Sequence, residues 1–239
     1  MYGIEALQTL DEEYRYCKKC SLCENRTQVV FGSGSSKARL MIVGEAPGVE
    51  EDEEGIPFVG KSGRLLMNML EMAWPDTEDI RRIRTIQDTE SYYLELREYL
   101  DDHIFWVNAV SCLTPENRTP TPKELEACRD RLERTIYAVD PLLILACGKT
   151  AATAVIQKAI QIVQKRGSVY DIYVRSPITG SNIRYTAMAI LHPSYLLRKG
   201  DQTLVDIGKG DTYATLEDLK YALRLLDTHS RLVTDTSFP

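Results

Sequence analysis

No apolar run in the chain approaches the roughly 18 residues a membrane helix needs. The N-terminus, MYGIEALQTLDEEYRY, is acidic and has no apolar h-region. A secretory signal is therefore not expected, and a cytoplasmic setting is. The chain also lacks an excess of positive charge: 29 Lys and Arg stand against 35 Asp and Glu, a net charge of −6. On its face that argues against a nucleic-acid partner. No internal repeat and no low-complexity segment is found. The turn GEAPG carries neither the Lys-Ser/Thr of a P-loop nor the GxGxxG of a dinucleotide site, so neither ligand class has support. What is present is ordinary for a globular protein: 239 residues, 44% apolar and 27% charged, enough for one sizeable core.

The negative charge is unevenly spread. Between Asp76 and Asp102 nine Asp and Glu face four Arg, a net of −5. The remainder is close to neutral, and a basic face there is compatible with the totals. Six cysteines fall at 17, 20, 23, 112, 128 and 147, three of them within CKKCSLC. Clustered thiols in a cytosolic chain read first as metal ligands. Cys17 and Cys20 with Cys112 and Cys128 make a four-thiolate set that suits an iron–sulfur cluster or structural zinc, and spacing alone does not choose. Cys112 and Cys128 also fit as small core residues. Cys23 is a spare thiol or an alternative ligand, and Cys147, inside LLILACG, is a core residue.

Apolar runs at 38–48, 104–112, 141–148, 168–174 and 183–191 predict strands. Helical spacing predicts helices over 1–16, 61–74, 120–139, 149–161 and 216–229, followed by a frayed tail. Residues 76–102 read as a charged surface insertion with helical stretches, within a single domain spanning 1–239. Alternation of strands and helices predicts an α/β domain with a mostly parallel sheet. GEAPG, NAVSC and LHPSYLLR each follow or end an apolar strand, so they are expected to converge at one sheet edge. His192, fixed between a strand and a proline, is either a donor to a developing anion or a structural turn histidine.

The ordered set CKKC, RTQVVFGSG, LMIVGEAPGVEED, GIPFVGKSGRLL, VNAVSC, PENRTPTPKELEAC, ILACGKTAA, KRG and LHPSYLLR covers most of residues 17–200. In order and spacing it resembles the family 4 uracil-DNA glycosylases, the iron–sulfur branch of the uracil-DNA glycosylase superfamily. The resemblance implies a three-layer α/β/α sandwich around a mainly parallel four-stranded sheet. It implies a structural [4Fe–4S] cluster on Cys17, Cys20, Cys112 and Cys128, with Cys23 left out. It makes Phe58 the aromatic that stacks the flipped base, Asn108 the reader of its edge, and His192 the catalytic donor to the departing uracil anion. Glu45 and Ala46 border the base, Glu45 against the thymine 5-methyl position. Glu51 and Asn117 match residues linked to catalysis, either orienting water or supporting the loop. Ser194, Leu196, Leu197 and Arg198 form the loop that enters the duplex, with Leu196 or Leu197 as the wedge and Arg198 near phosphate.

The activity so implied is monofunctional excision of uracil from DNA, leaving an abasic site; no lysine stands in a matched position for strand cleavage. Two departures stand out. The acidic 76–102 segment is longer than the family's usual link, as a tolerated loop or a surface for a protein partner. A basic insert carried by a crosslinking relative is replaced by PENRTPTP, so covalent trapping of DNA is not expected. A catalytically silent iron–sulfur DNA- or protein-binding module is the alternative from another class. An oxidoreductase lacks any flavin or nicotinamide motif. Monomer is the default state.

Overall fold

The computed structural model describes residues 3–199 and 210–234. Its centre is a sheet whose middle strands are β2 (Leu40–Gly44), β3 (Ile104–Asn108), β4 (Leu143–Cys147) and β6 (Asn182–Ile190). These four run parallel in the order β3-β2-β4-β6. Two antiparallel edges complete it: β1 (Ser33–Gly34) beside β3, and β5 (Val169–Arg175) beside β6. The expected four-stranded parallel sheet is therefore the core of a six-stranded one.

All five residues of β2, β3 and β4 are buried. Strand side chains alternate, so each strand feeds two separate cores. Met41, Val43, Phe105, Val107, Ile144 and Ala146 face one side. There they meet α1 (Ile4–Tyr14), α6 (Pro122–Val139) and α7 (Gly148–Ile156). Leu40, Ile42, Ile104, Trp106, Leu143 and Leu145 face the other side. There lie α3 (Lys61–Ala73), α5 (Thr89–Asp101) and α10 (Gly210–Thr234). Helix layers on both faces make the predicted sandwich.

Three local features differ from the pattern reading. The 193–198 segment is a short helix, α9 (Pro193–Arg198), because Pro193 sits at the first helical position and His192 caps it. The closing helix α10 runs on to Thr234; residues 235–239 of the expected frayed tail lie outside the described residues. The acidic stretch forms α4 (Glu78–Ile83) and α5, capped by Thr77 and Asp88, whose side chains accept from Ile80 N and Ser91 N. Most of its charges are outward, but Arg97 and Asp101 turn inward, and Ile80, Ile83, Leu96 and Leu100 are fully buried. Many of its acids pair locally: Arg81 with Asp76, Arg82 with Glu95, and Arg84 with Asp76 and with Glu71 of α3.

Candidate active site

The parallel strands β2, β3, β4 and β6 end at Gly44, Asn108, Cys147 and Ile190 on one edge of the sheet, the edge where open α/β sheets place ligand sites. A cavity of about 540 Å³ opens there. Glu45 and Ala46 line it from the loop after β2, Glu51 from the short helix α2 (Val49–Glu54), and Phe58 from the following turn. Asn108 and Asn117 close it from β3 and its loop; His192, Ser194 and Arg198 close it from the segment after β6. The backbone ladder continues past the strands, Ala109 N donating to Gly44 O at 2.9 Å and Val110 N to Glu45 O at 3.1 Å. That fixes the β2 and β3 loops relative to each other.

Glycine makes the approach of these groups possible. A Cβ on Gly44 would lie 2.2 Å from Asn108 Oδ1 and 2.8 Å from the Phe58 ring. Asn108 is buried, and among the described residues its side-chain amide has no protein hydrogen-bond partner, leaving donor and acceptor free for a ligand in the cavity. Phe58 sits at φ 62°, a left-handed conformation unusual for an aromatic residue.

His192 Nδ1 accepts the Ser194 backbone N–H at 3.1 Å and lies 2.7 Å from Ser194 Oγ. A backbone amide only donates, so Nδ1 presents its lone pair and the neutral ring carries its proton on Nε2. Burial first, then the neighbouring Arg198 charge, pushes the His192 pKa down to about 4. The ring is therefore a neutral Nε2–H donor at physiological pH.

Glu51 has both carboxylate oxygens engaged. Oε2 accepts from Gly48 N and Oε1 from Gly60 N, each at 2.9 Å. It clamps the two loops that carry Ala46 and Phe58. Asn117 lies in a turn with Glu116, both at positive φ, and Asn117 N donates to Thr114 O at 3.0 Å. Arg118 anchors that turn through a bidentate pair to Glu124 at 2.7 and 2.9 Å. Arg118 above all, with the Thr121 amide, holds the Glu124 carboxyl down to about 2. Leu196 is a correction: it is fully buried in the core beside α3, so it has no surface to present to a duplex. Leu197 is half-buried and Arg198 exposed.

The six cysteines fall in different surroundings. Cys112 and Cys128 are buried with Leu22 and Val110, and Cys20 and the cavity residue Ala46 pack against this group. Burial raises the Cys20 thiol pKa, with Cys128 and Cys17 adding to it, and pushes Cys112 up to about 11, with Cys128 and Cys20 adding there. Cys20, Cys112 and Cys128 thus share one corner, while Cys17 packs against the core beside α1. Arg26 bridges them, donating to Cys112 Sγ at 3.1 Å and Cys17 O at 2.6 Å. Cys23 instead lines a separate groove near Tyr16 and Thr27. Cys147 is a core residue whose thiol burial pushes up to about 12. Among the described residues no three His, Cys, Asp or Glu side chains close around a single-ion site.

Pattern reading missed several contributors. Lys61 and Ser62 line the cavity, and the GKSG turn was the available signal. Arg131, 1% exposed on α6, donates to Asn108 O at 2.5 Å, Ala109 O at 3.3 Å and Phe31 O at 3.4 Å. Nothing in a charged helical heptad marks it as buried.

A sequence model of the uracil DNA glycosylase superfamily matches residues 31–219. The chain is similar to the type-4 uracil-DNA glycosylase of Thermotoga maritima, 33% identical over 91% of this chain and 93% of the relative. It is similar to that of Archaeoglobus fulgidus, 32% identical over 81% and 84%, and to that of Pyrobaculum aerophilum, 34% identical over 81% and 85%.

Proposed function

The chain belongs to the type-4 family of the uracil-DNA glycosylase superfamily, and from this and the cavity's chemistry we propose that it hydrolyses the N-glycosidic bond of uracil in DNA, leaving an abasic site. The observation that carries the reading is the convergence of Phe58, Asn108 and the Nε2–H of His192 on one cavity. A silent binding module needs no such set.

A uracil inside a duplex is unreachable, so the base is flipped out at a cost of roughly a few kcal/mol. Phe58 stacks on its face. The Asn108 amide donates to O4 and accepts from N3–H; cytosine presents the reverse pattern and would leave buried groups unpaired. As the glycosidic bond breaks, negative charge gathers on the base, and His192 Nε2–H donates to O2. This interaction is stronger in the transition state than in the ground state, so it accelerates the chemistry. Glu45 walls off the position of a 5-methyl group. Glu51 is occupied as a loop clamp, and Asn117 orients the attacking water. Leu197 is the wedge and Arg198, with Ser194 beside it, meets phosphate at the cavity mouth.

The thiol corner supports a [4Fe–4S] cluster: Cys17, Cys20, Cys112 and Cys128 are soft donors, Cys20 packs against the buried Cys112 and Cys128, and Arg26 joins Cys112 to the Cys17 backbone as a counter-charge. Bound there, the cluster supplies a covalent tie between the N-terminal segment and the loop after β3. Base hydrolysis transfers no electrons, so its role is structural. No described helix is long and apolar enough to cross a membrane. We place the enzyme in the cytoplasm with its DNA, as a monomer, its acidic 76–102 face left to a protein partner because it repels phosphate.

Incubation with a labelled oligonucleotide carrying one uracil, followed by hot alkali, tests this. Cleavage at uracil but not at thymine, lost in Asn108→Ala, is expected. An intact oligonucleotide from folded, iron-loaded protein would return the binding-module reading.

A further inference from the structure

We propose that Arg97 and Asp101, on the acidic helix α5, are positioning residues that set the base-stacking face of the cavity. The inference rests on the reading of Phe58 as the stacking aromatic. Phe58 lies against Trp106, with ring centroids 5.4 Å apart and planes tilted by 50°. Trp106 is fully buried, and its Nε1–H donates to Asp101 Oδ1 at 2.6 Å. The same Oδ1 accepts from Arg97 Nε at 2.7 Å. The Arg97 guanidinium also covers the Trp106 ring, 5.0 Å from its centroid. One ion pair thus holds the indole by its edge and by its face.

Arg97 reaches further. Its Nη1 donates to Pro57 O at 2.9 Å and its Nη2 to Ser33 Oγ at 2.7 Å. The Pro57 carbonyl belongs to the peptide plane that leads into Phe58, and rotation between that plane and the Phe58 Cα is φ. Phe58 holds φ at 62°, which an aromatic residue adopts only under constraint. Gly63 packs so closely on the other side that a Cβ there would lie 1.9 Å from Phe58 O. The Phe58 backbone is therefore gripped before and after its Cα, and the first grip comes from a helix whose composition reads as solvated surface. The planar fork of arginine is needed: the Lys ammonium is a point charge and does not bridge two acceptors while lying flat on an indole.

The test is steady-state kinetics on single-stranded uracil oligonucleotide with the full-length, iron-loaded protein. Arg97→Met is expected to raise KM about tenfold, the scale of one base–aromatic stacking interaction, with kcat changed less than about threefold. Arg97→Lys is expected between wild type and Arg97→Met. Asp101→Asn keeps an acceptor for Trp106 and is expected to be milder still. The decisive measurement repeats Arg97→Met in a Phe58→Ala background, where its effect on KM should vanish because it acts through that ring. Full additivity there, or a lowered melting temperature with unchanged KM, overturns the proposal. If Phe58→Ala alone leaves KM unchanged, the stacking reading falls and this inference with it. If Phe58→Ala raises KM and Arg97→Met does not, only the inference falls. Should Arg97→Met fail to fold, Arg97→Lys and Asp101→Asn carry the same cycle.

Discussion

The cysteine corner with its neighbour α6 and the acidic helix α5 support strand β3 from opposite faces of the sheet, by different means. From one side Arg131 holds the Asn108 carbonyl; from the other Arg97 and Asp101 hold Pro57 and Trp106. The acidic helix is self-sufficient: Leu96 and Leu100 fill the core, and Asp101 neutralises Arg97. The cysteine corner is not. Burial forces its Cys20 and Cys112 thiols towards the neutral form, and Arg131 is buried against carbonyl acceptors with an unpartnered Nε and, among the described residues, no ion-paired carboxylate. A wall built from burial and ion pairs needs nothing further. On the proposed reading, a wall built from thiols and guanidinium groups would be completed by the cluster the thiols hold.

The strongest way to break that contrast is to remove the thiols. Cys112→Ala with Cys128→Ala should abolish iron binding, measured as visible absorbance and iron per chain, and cost roughly 5 kcal/mol or more in urea unfolding. Equal stability would mean that the corner is as self-contained as the helix. On the helix side, Leu96→Ala should cost about 2–5 kcal/mol by leaving a cavity, with visible absorbance and kcat retained in the folded fraction.

Acid sharpens the comparison. The folded pKa of His192, about 4, lies below its ordinary 6.5. The unfolded chain takes up that proton first, so His192 subtracts stability as pH falls from 6.5 towards 4. Activity should hold to about pH 5 and then drop, approaching tenfold per unit below 4, in a kcat/KM–pH profile on single-stranded substrate. The Glu124 carboxyl, held at about 2, contributes stability fully present above 4.5 and lost as pH falls towards 2. The Asn117 turn should therefore outlast His192 in acid, and an acid limb near 6.5 would contradict the buried neutral donor. The smallest effect belongs to the outer face of the acidic segment. Arg81 and Asp76 pair at 2.9 Å but are each about 60% exposed, and Arg81→Ala should cost about 0.5 kcal/mol or less by thermal melting.

Much of this was legible before the coordinates. Continuous apolar runs marked β2, β3, β4 and β6 because strands buried on both faces have no polar side to show. The cavity residues were legible as motifs at strand ends. β1 was not, since two residues flanked by glycine carry no period. The family resemblance makes 194–198 a loop, although proline after a capping histidine is a helix-start signal for α9. Ile80, Ile83, Leu96 and Leu100 recur at helical spacing, yet the charge around them drew the segment to the surface. Arg97 and Arg131 are out of reach for a different reason: they bind backbone carbonyls distant in sequence, Pro57 for Arg97 and Phe31, Asn108 and Ala109 for Arg131, and no side-chain pattern records those.

The strand order has a consequence for how the protein is made. Synthesis delivers β2 and β3 first, adds β4 beside β2, and places β6 last of the parallel four. The proposed stacking ring and amide reader lie at residues 58 and 108, while the proposed donor to the leaving base follows at 192. On those roles, a chain cut short before β6 would carry the groups that recognise uracil and lack the one that expels it. The capacity to cut a base from DNA would then arrive only with the last of the parallel strands.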